Sequence, residues 1–161
     1  MSPAPVEVER STSNAMEKGI DQSLIRCNMF SFETTLRVRY AETDQMGFVY
    51  YGNYPQYYEV ARAEAMRKMG MSYKEMEEQG VVMPIADMHI KYIRPAHYDD
   101  LLTIKTCVPE IPGSRMHFDY EIFNEAGKLI NKGYTVLAFI RKDTGRPCAA
   151  PDWFLNKLKE A

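Results

Sequence analysis

Residues 44–61 read DQMGFVYYGNYPQYYEVA, a stretch that joins a loop to the start of a helix with a wide apolar face. Pro55 suits the first turn of a helix, and Asn53 is a residue type that caps helices. Apolar side chains then recur at helical spacing up to Gly70, a natural C-terminal stop: Tyr54, Tyr57, Tyr58, Ala61, Ala65, Met66 and Met69. A face this wide has to be buried, so we predict one long central helix.

Segments with a period of two flank this helix. Before it, Leu36, Val38 and Tyr40 alternate with charged residues, which predicts a half-buried strand from Thr34. After it, the Ser72–Glu75 spacing is that of a capping box and predicts a short second helix. Four more strands are predicted near residues 86–92, 102–108, 116–122 and 128–141, and a closing helix over 151–160.

This order of elements predicts an α+β domain. A strongly twisted antiparallel sheet could bury the long helix by wrapping around it, with the last four strands in a meander. Residues 1–32 show no sustained period and are interpreted as a tail that includes a short helix. Ser13–Met16 resembles a cloning scar before a start methionine. The domain is therefore placed at 33–161.

Composition excludes several classes of protein. The net charge of −2 gives no electrostatic footprint for nucleic acid, and no apolar run is long enough for a membrane span. Cys27, Cys107 and Cys148 are odd in number and far apart, which argues against a disulfide framework or a structural zinc and favours a reducing compartment. With no hydrophobic signal core, we expect a cytoplasmic protein. The three histidines lack ligand spacing, so we expect neither a metal nor a cofactor.

Asp44 is the candidate for chemistry. It lies in a loop beside Gly47, and a helix begins seven residues later. A helix start presents unpaired N–H groups and a positive dipole end. A carboxylate that faces such donors could attack a polarised carbonyl or activate water against it. The alternative is that Asp44 only caps a turn.

The same run resembles the 4-hydroxybenzoyl-CoA thioesterase family. The family pattern D-x-x-G-x-V-x-Y/H-x-N/S-Y, followed by an aromatic-rich helix, reads D-Q-M-G-F-V-Y-Y-G-N-Y here. A second match is IKYIRPAHYDD at residues 90–100, and the resemblance covers about 34–145. It implies the hotdog fold, in which an antiparallel sheet wraps around one long central helix, and the activity of an acyl-CoA thioesterase.

Carried over by position, the resemblance makes Asp44 the catalytic aspartate. Tyr51, with Gly52, takes the helix-start position whose backbone N–H polarises the thioester carbonyl. A related branch has histidine there, so the tyrosine here argues against a histidine-assisted mechanism. Glu59, on the helix, is the competing carboxylate; its alternative is an ion pair with Arg62 or Arg37.

Other residues are predicted to bind substrate. Tyr40 matches a tyrosine that lines the site or packs in the core, and Asn53 is a cap rather than a catalyst. Coenzyme A carries phosphates, which require cations such as Lys91 or Arg141. The full set of predicted binding residues is Tyr40, Asn53, Tyr54, Tyr58, Glu59, Arg94, Ser114 and Arg115.

The predicted reaction is hydrolysis of an acyl- or aryl-CoA thioester to a free acid and CoA. A single sheet around one helix leaves an open edge, and hotdog proteins pair such edges, so we expect a homodimer or homotetramer. Three alternatives remain: a thioesterase for acyl-acyl carrier protein, a non-catalytic acyl-CoA sensor, and, more weakly, a dehydratase.

Overall fold

The computed structural model describes Ile25 and residues 27–161. Its elements are β1 Phe30–Arg37, α1 Tyr54–Lys68, α2 Tyr73–Glu78, β2 Val81–Val82, β3 Ile85–Tyr92, β4 Leu101–Val108, β5 Arg115–Phe123, β6 Leu129–Ala138, β7 Ile140–Arg141 and α3 Asp152–Glu160. The predicted N-terminal helix and the Ser13–Met16 stretch lie outside the described residues. The first strand, however, begins at Phe30, inside the stretch interpreted as tail.

Five strands form one antiparallel sheet in the order β1-β4-β5-β6-β3. β2 and β7 form a separate two-stranded sheet. The side of the large sheet that faces α1 carries fully buried side chains at alternate positions of β4 and β5: Leu102, Ile104, Met116, Phe118, Tyr120 and Ile122. The period of two therefore located the core face correctly, and the predicted α+β architecture is confirmed.

The predicted four-strand meander is wrong in one connection. β3 pairs with β6 rather than with β4, and β4 crosses to pair with β1. Two backbone hydrogen bonds guide the crossing chain, from Val49 N to Ala96 O and from Val38 N to Asp100 O. These contacts draw the segment after Pro95 towards the start of the domain, so β3 becomes an edge strand.

Helix α1 buries the predicted face, with proline in its first turn. Asn53 occupies the N-cap position of α1, as predicted, but its side chain makes no capping hydrogen bond to the helix. Arg62 is also buried on this face. Two phenol oxygens accept hydrogen bonds from its guanidinium: Nε donates to Tyr73 Oη at 2.7 Å and Nη1 to Tyr120 Oη at 3.1 Å. The expected ion pair of Glu59 with Arg62 or Arg37 is therefore absent among the described residues.

The capping box of α2 is present as predicted. Ser72 Oγ accepts from Glu75 N at 3.2 Å, and Ser72 N donates to Glu75 Oε2 at 3.0 Å. Two donors at the helix start are thus satisfied reciprocally. In the part of the chain that the structure describes, no helix has the length and apolar character needed to cross a membrane.

The cysteines correct another expectation. Cys27 and Cys107 form a disulfide, with Cα atoms 5.7 Å apart, while Cys148 is free. Pairing of β1 with β4 places Ser31 opposite Cys107, which brings the residues before β1 over the same strand. Spacing along the chain could not show this proximity. Cysteine usage therefore no longer supports a reducing compartment.

Candidate active site

Asp44 lies in a tight loop closed by a bridge between Thr43 and Val49. Within the loop, Asp44 N donates to Phe48 O at 3.1 Å and Gly47 N to Asp44 O at 3.0 Å. Gly47 has φ +84°, a left-handed conformation that glycine adopts without steric cost. The loop therefore fixes the backbone that carries the carboxylate.

The two oxygens of the Asp44 carboxylate have different surroundings. Oδ1 accepts a hydrogen bond from Met46 N at 2.8 Å. Oδ2 has no hydrogen-bond donor among the described residues, and the side chain is half-buried. One oxygen therefore caps the turn while the other is free to act on a substrate, so the capping role and a chemical role are compatible.

A turn of 3-10 helix at Tyr51–Asn53 leads directly into α1. The first N–H groups of a helical turn have no partner inside it. Neither Tyr51 N nor Gly52 N makes a backbone hydrogen bond outside that turn in the described part of the chain. The dipole of the following helix adds positive potential at this end. The turn can therefore hold an oxyanion.

Glycine at residue 52 leaves room for the ring of the neighbouring Tyr50. A Cβ atom at residue 52 would lie 2.6 Å from Tyr50 Cε1. The pKa of the Tyr50 phenol is raised, first by its hydrogen bond with Tyr51 and in part by the charge of Asp44. Tyr50 therefore stays a neutral hydroxyl beside the carboxylate. The sequence did not single it out, although it stands inside the motif.

An apolar cleft of about 460 Å³ opens beside the loop and the turn. Tyr92 is central to it: its hydroxyl donates to Tyr51 O at 3.0 Å, and its ring meets the Tyr54 ring edge-on at 5.4 Å between centroids. The lining residues are Met46, Phe48, Val49, Tyr51, Tyr54, Tyr92, Ile93, Arg94 and Pro95. Tyr92 is a second site residue that the sequence missed, because its contact depends on the position of β3.

The cleft carries little charge at neutral pH. Burial raises the pKa of Tyr54 to about 12 and also raises the pKa of Tyr92. Both phenols are therefore protonated. Arg94 is the single charged residue among those that line the cleft, and its Nη1 donates to Leu129 O at 2.9 Å. Such a surface suits an uncharged acyl group.

Several predicted binding residues lie elsewhere. Tyr40 is 77% exposed and contacts Tyr98, so it packs neither in the core nor in the cleft. Tyr58 is fully buried, stacked on Tyr120 at 4.3 Å between centroids. Asn53 is half-buried and donates from Nδ2 to Glu42 O at 2.8 Å. Of the predicted binding residues, Tyr54 and Arg94 line the cleft; of the predicted catalytic residues, Tyr51 does, while Asp44 and Gly52 are not among the lining residues.

The remaining predicted residues are not gathered at the cleft of this chain. Ser114 and Arg115 lie at the opposite end of the sheet: Arg115 pairs with Ala138, whereas Tyr92 pairs with Asn131. Positions 131 and 138 are about 23 Å apart along a strand. Arg141 lines a separate cavity of about 600 Å³, Lys91 lines another of about 240 Å³, and Glu59 is exposed on α1. A single chain thus does not assemble the predicted cations around one ligand.

No group of three or more acidic, histidine or cysteine side chains that could hold a metal ion occurs among Ile25 and residues 27–161. Among the described residues, the hydrogen-bond partners of Asp44 are backbone groups of its own loop, from Met46, Gly47 and Phe48. A helix enclosed by an antiparallel sheet, with a carboxylate loop and an apolar cleft at the start of that helix, has the architecture of the hotdog fold.

The chain belongs to the thioesterase-like superfamily, which matches residues 38–158. It is 37% identical over 122 residues to YneP of Bacillus subtilis, a protein that is provisionally named an acyl-CoA thioesterase. The match covers 73% of this chain and 88% of YneP. A DHNA-CoA thioesterase structure from Staphylococcus aureus has a TM-score of 0.74 at 38% identity, covering 81% of this chain and 91% of that one. The predicted hotdog fold and thioester hydrolase class are confirmed.

The resemblance to the 4-hydroxybenzoyl-CoA thioesterase family was too narrow. A structure of that thioesterase, a point mutant in complex with 4-hydroxybenzoyl-CoA, has a TM-score of 0.70 and 23% identity, and covers 80% of this chain and 98% of that one. This likeness shows a shared fold alone. The short motif around Asp44 identified the superfamily, but it does not specify one member family.

Proposed function

We propose that Asp44 and the backbone N–H groups of Tyr51 and Gly52 form the catalytic centre of this acyl-CoA thioesterase. One observation carries the proposal: the loop that holds the Asp44 carboxylate, with its free oxygen, and the turn with the unpaired helix start both contribute residues to the wall of one apolar cleft. Preorganised donors at the position of a developing oxyanion are commonly the largest catalytic contribution in acyl transfer.

In the proposed reaction, the thioester carbonyl oxygen accepts hydrogen bonds at the turn. As a general base, Asp44 takes a proton from water while the hydroxide adds to the carbonyl carbon. The C–S bond then breaks, and the CoA thiolate recovers the proton. As a nucleophile, Asp44 instead adds to the carbon and expels the thiolate, and water cleaves the mixed anhydride. Both routes yield a free acid and CoA.

The residues that line the cleft favour binding of an apolar acyl group. Its three tyrosine rings, from Tyr51, Tyr54 and Tyr92, can pack edge-on or offset against a flat ring. We therefore propose that aromatic acyl groups are hydrolysed faster than aliphatic chains of equal size. The CoA phosphates would meet Arg94 from this chain and further cations from a second copy.

The two main alternatives make different demands. An acidic acyl carrier protein would require a ring of basic residues around the cleft. Arg94, however, also lines an adjoining groove, and that groove contains the acidic residues Asp100 and Glu125. An acyl-CoA sensor would bind without turnover. Both alternatives are less well supported than hydrolysis of the CoA ester.

Release of free thiol from matched thioesters tests this proposal. We expect turnover of benzoyl-CoA and hexanoyl-CoA, with kcat/KM about tenfold higher for the aromatic ester, and little turnover of the same acyl groups on carrier protein. The tenfold difference corresponds to about 1.4 kcal/mol of transition-state binding. Faster turnover on the carrier protein would favour the first alternative, and CoA-ester binding without thiol release would favour the sensor.

The proposed assembly is a homodimer through the edge of β3, with a homotetramer formed through a second surface. Among the described strands, β3 pairs only with β6, so its other edge is free. Three exposed apolar side chains lie on or next to β3: Ile85, Tyr92 and Ile93. A free edge beside exposed apolar surface favours pairing with another chain. A dimer would also bring a second set of cations near the cleft.

We expect Ile85→Glu to shift the protein towards monomer in sedimentation velocity, because the edge strand would then carry a charge into the interface. Ile111→Glu is the matched control, since Ile111 is about as exposed as Ile85 but lies in the turn before β5. If both variants keep the wild-type mass, or if the wild type is a monomer, dimerisation through β3 is wrong.

A cytoplasmic location remains a prediction from the N-terminal sequence, and the disulfide weakens its basis. Fractionation of the native host, with detection of the protein by antibody, tests it directly.

A further inference from the structure

Glu42 is a buried carboxylate next to the Asp44 loop, and it has a full set of partners. It is 7% exposed. Oε1 accepts from Arg39 N at 2.8 Å and from Tyr57 Oη at 3.2 Å, while Oε2 accepts from Arg39 Nη2 at 3.1 Å. A buried charge is tolerated when it is paired and hydrogen-bonded in this way. These bonds fix the side chain between the loop and α1.

The backbone of the same residue holds the turn. Glu42 O accepts from Tyr50 N at 2.9 Å and from Asn53 Nδ2 at 2.8 Å. These two donors lie on either side of Tyr51 and Gly52. The carbonyl of Glu42 therefore positions both ends of the segment that would bind the oxyanion.

We propose that Glu42 is a positioning residue that fixes the geometry between the Asp44 carboxylate and the N–H groups of Tyr51 and Gly52. It does so because its side chain is anchored to α1 through Tyr57, its carbonyl is bonded to the turn, and Asp44 follows it by two residues. This inference rests on the proposed function for its effect on catalysis. The positioning itself is a property of the structure.

Glu42 is not among the residues that line the cleft, so its proposed effect on the reaction is indirect. A carboxylate and an oxyanion site must be placed together on one carbonyl, and an error of about 1 Å can cost about 100-fold in rate. In Glu42→Gln the amide oxygen can replace Oε1, which already accepts from both Arg39 N and Tyr57 Oη. The amide NH2, however, would face the Arg39 guanidinium, and the bond from Arg39 Nη2 to Oε2 would be lost. The loop and the turn would then move relative to each other.

Glu42→Gln tests the proposal. We expect kcat to fall about 10- to 100-fold with KM within threefold of wild type, because the apolar cleft is unchanged. By hydrogen exchange, the Tyr50 amide should exchange at least tenfold faster, while amides of β5 keep their wild-type rates. Asn53→Ala, which removes one bond to Glu42 O and leaves the buried charge, should change both quantities in the same direction by less.

Phe154→Leu is the control for general destabilisation, because Phe154 is fully buried on α3 and packs against Phe139. It should lower the melting temperature and leave kcat unchanged. The proposal is overturned if Glu42→Gln leaves both kcat and Tyr50 exchange at wild-type values. If Glu42→Gln does not fold, the same result with Asn53→Ala overturns it. A wild type that hydrolyses no thioester would refute the proposed function, and Tyr50 exchange would still decide the role of Glu42.

Discussion

Asp44→Asn is expected to lower kcat/KM for any CoA thioester that the wild type hydrolyses by about 100- to 10,000-fold, the usual range for loss of a general base. The amide keeps an oxygen that can accept from Met46 N, as Oδ1 does now, so the turn should survive. The substitution removes the negatively charged oxygen Oδ2, which accepts no hydrogen bond from the described residues. Thiol release at saturating and limiting substrate measures the effect.

The matched control is Glu59→Gln, which removes the other candidate carboxylate from an exposed position on α1. We expect it to retain wild-type kcat/KM. Asp44→Asn should still bind the intact CoA ester within about threefold of the wild-type affinity, as measured by calorimetry. Full activity in Asp44→Asn together with loss in Glu59→Gln would transfer the catalytic role to the helix.

Local pattern was sufficient for most of the secondary structure. Helix α1 ends where Gly70 predicts, and the Ser72–Glu75 box starts α2, because both signals depend on neighbouring backbone groups. The period of two likewise located most of the strands, but β1 ends at Arg37, before Tyr40, and the strand predicted over 128–141 divides into β6 and β7. The order of strands in the sheet did not follow, because the pairing of β3 with β6 depends on the path of residues 93–100 through space.

The residues of the candidate site also divide into those that depend on neighbours in the chain and those that depend on distant segments. The loop of Asp44 and the helix start after it could be predicted because they are contiguous in the chain, while the roles of Asp44, Tyr51 and Gly52 stay predictions. Tyr92 and Glu42 could not, since the first reaches Tyr51 from a distant strand and the second acts through buried bonds to Arg39 and Tyr57. The sequence placed Tyr58 in the wall of the site, yet its helical position turns it into the core. An aromatic-rich face alone does not distinguish wall from core.

Gly133→Ala is expected to cost about 3 kcal/mol of stability, near the upper end for overpacking in a core. A Cβ at residue 133 would lie 2.1 Å from the backbone oxygen of His89 and 2.8 Å from Tyr58 Oη. Neither neighbour can withdraw easily. His89 belongs to β3, whose pairing with β6 runs through Gly133, and the Tyr58 hydroxyl donates to Asn131.

The expected fall in melting temperature is about 6–12 °C, from the usual 2–4 °C per kcal/mol for a chain of this size. Thermal unfolding followed by circular dichroism measures it. Gly113→Ala is the control, because nothing lies within 4 Å of the added carbon there, and it should stay within about 0.5 kcal/mol of wild type. If Gly133→Ala were as stable as this control, β3 could not approach β6 as closely as described. Because Tyr92 is carried by β3, the cleft wall that it forms would then also be misplaced.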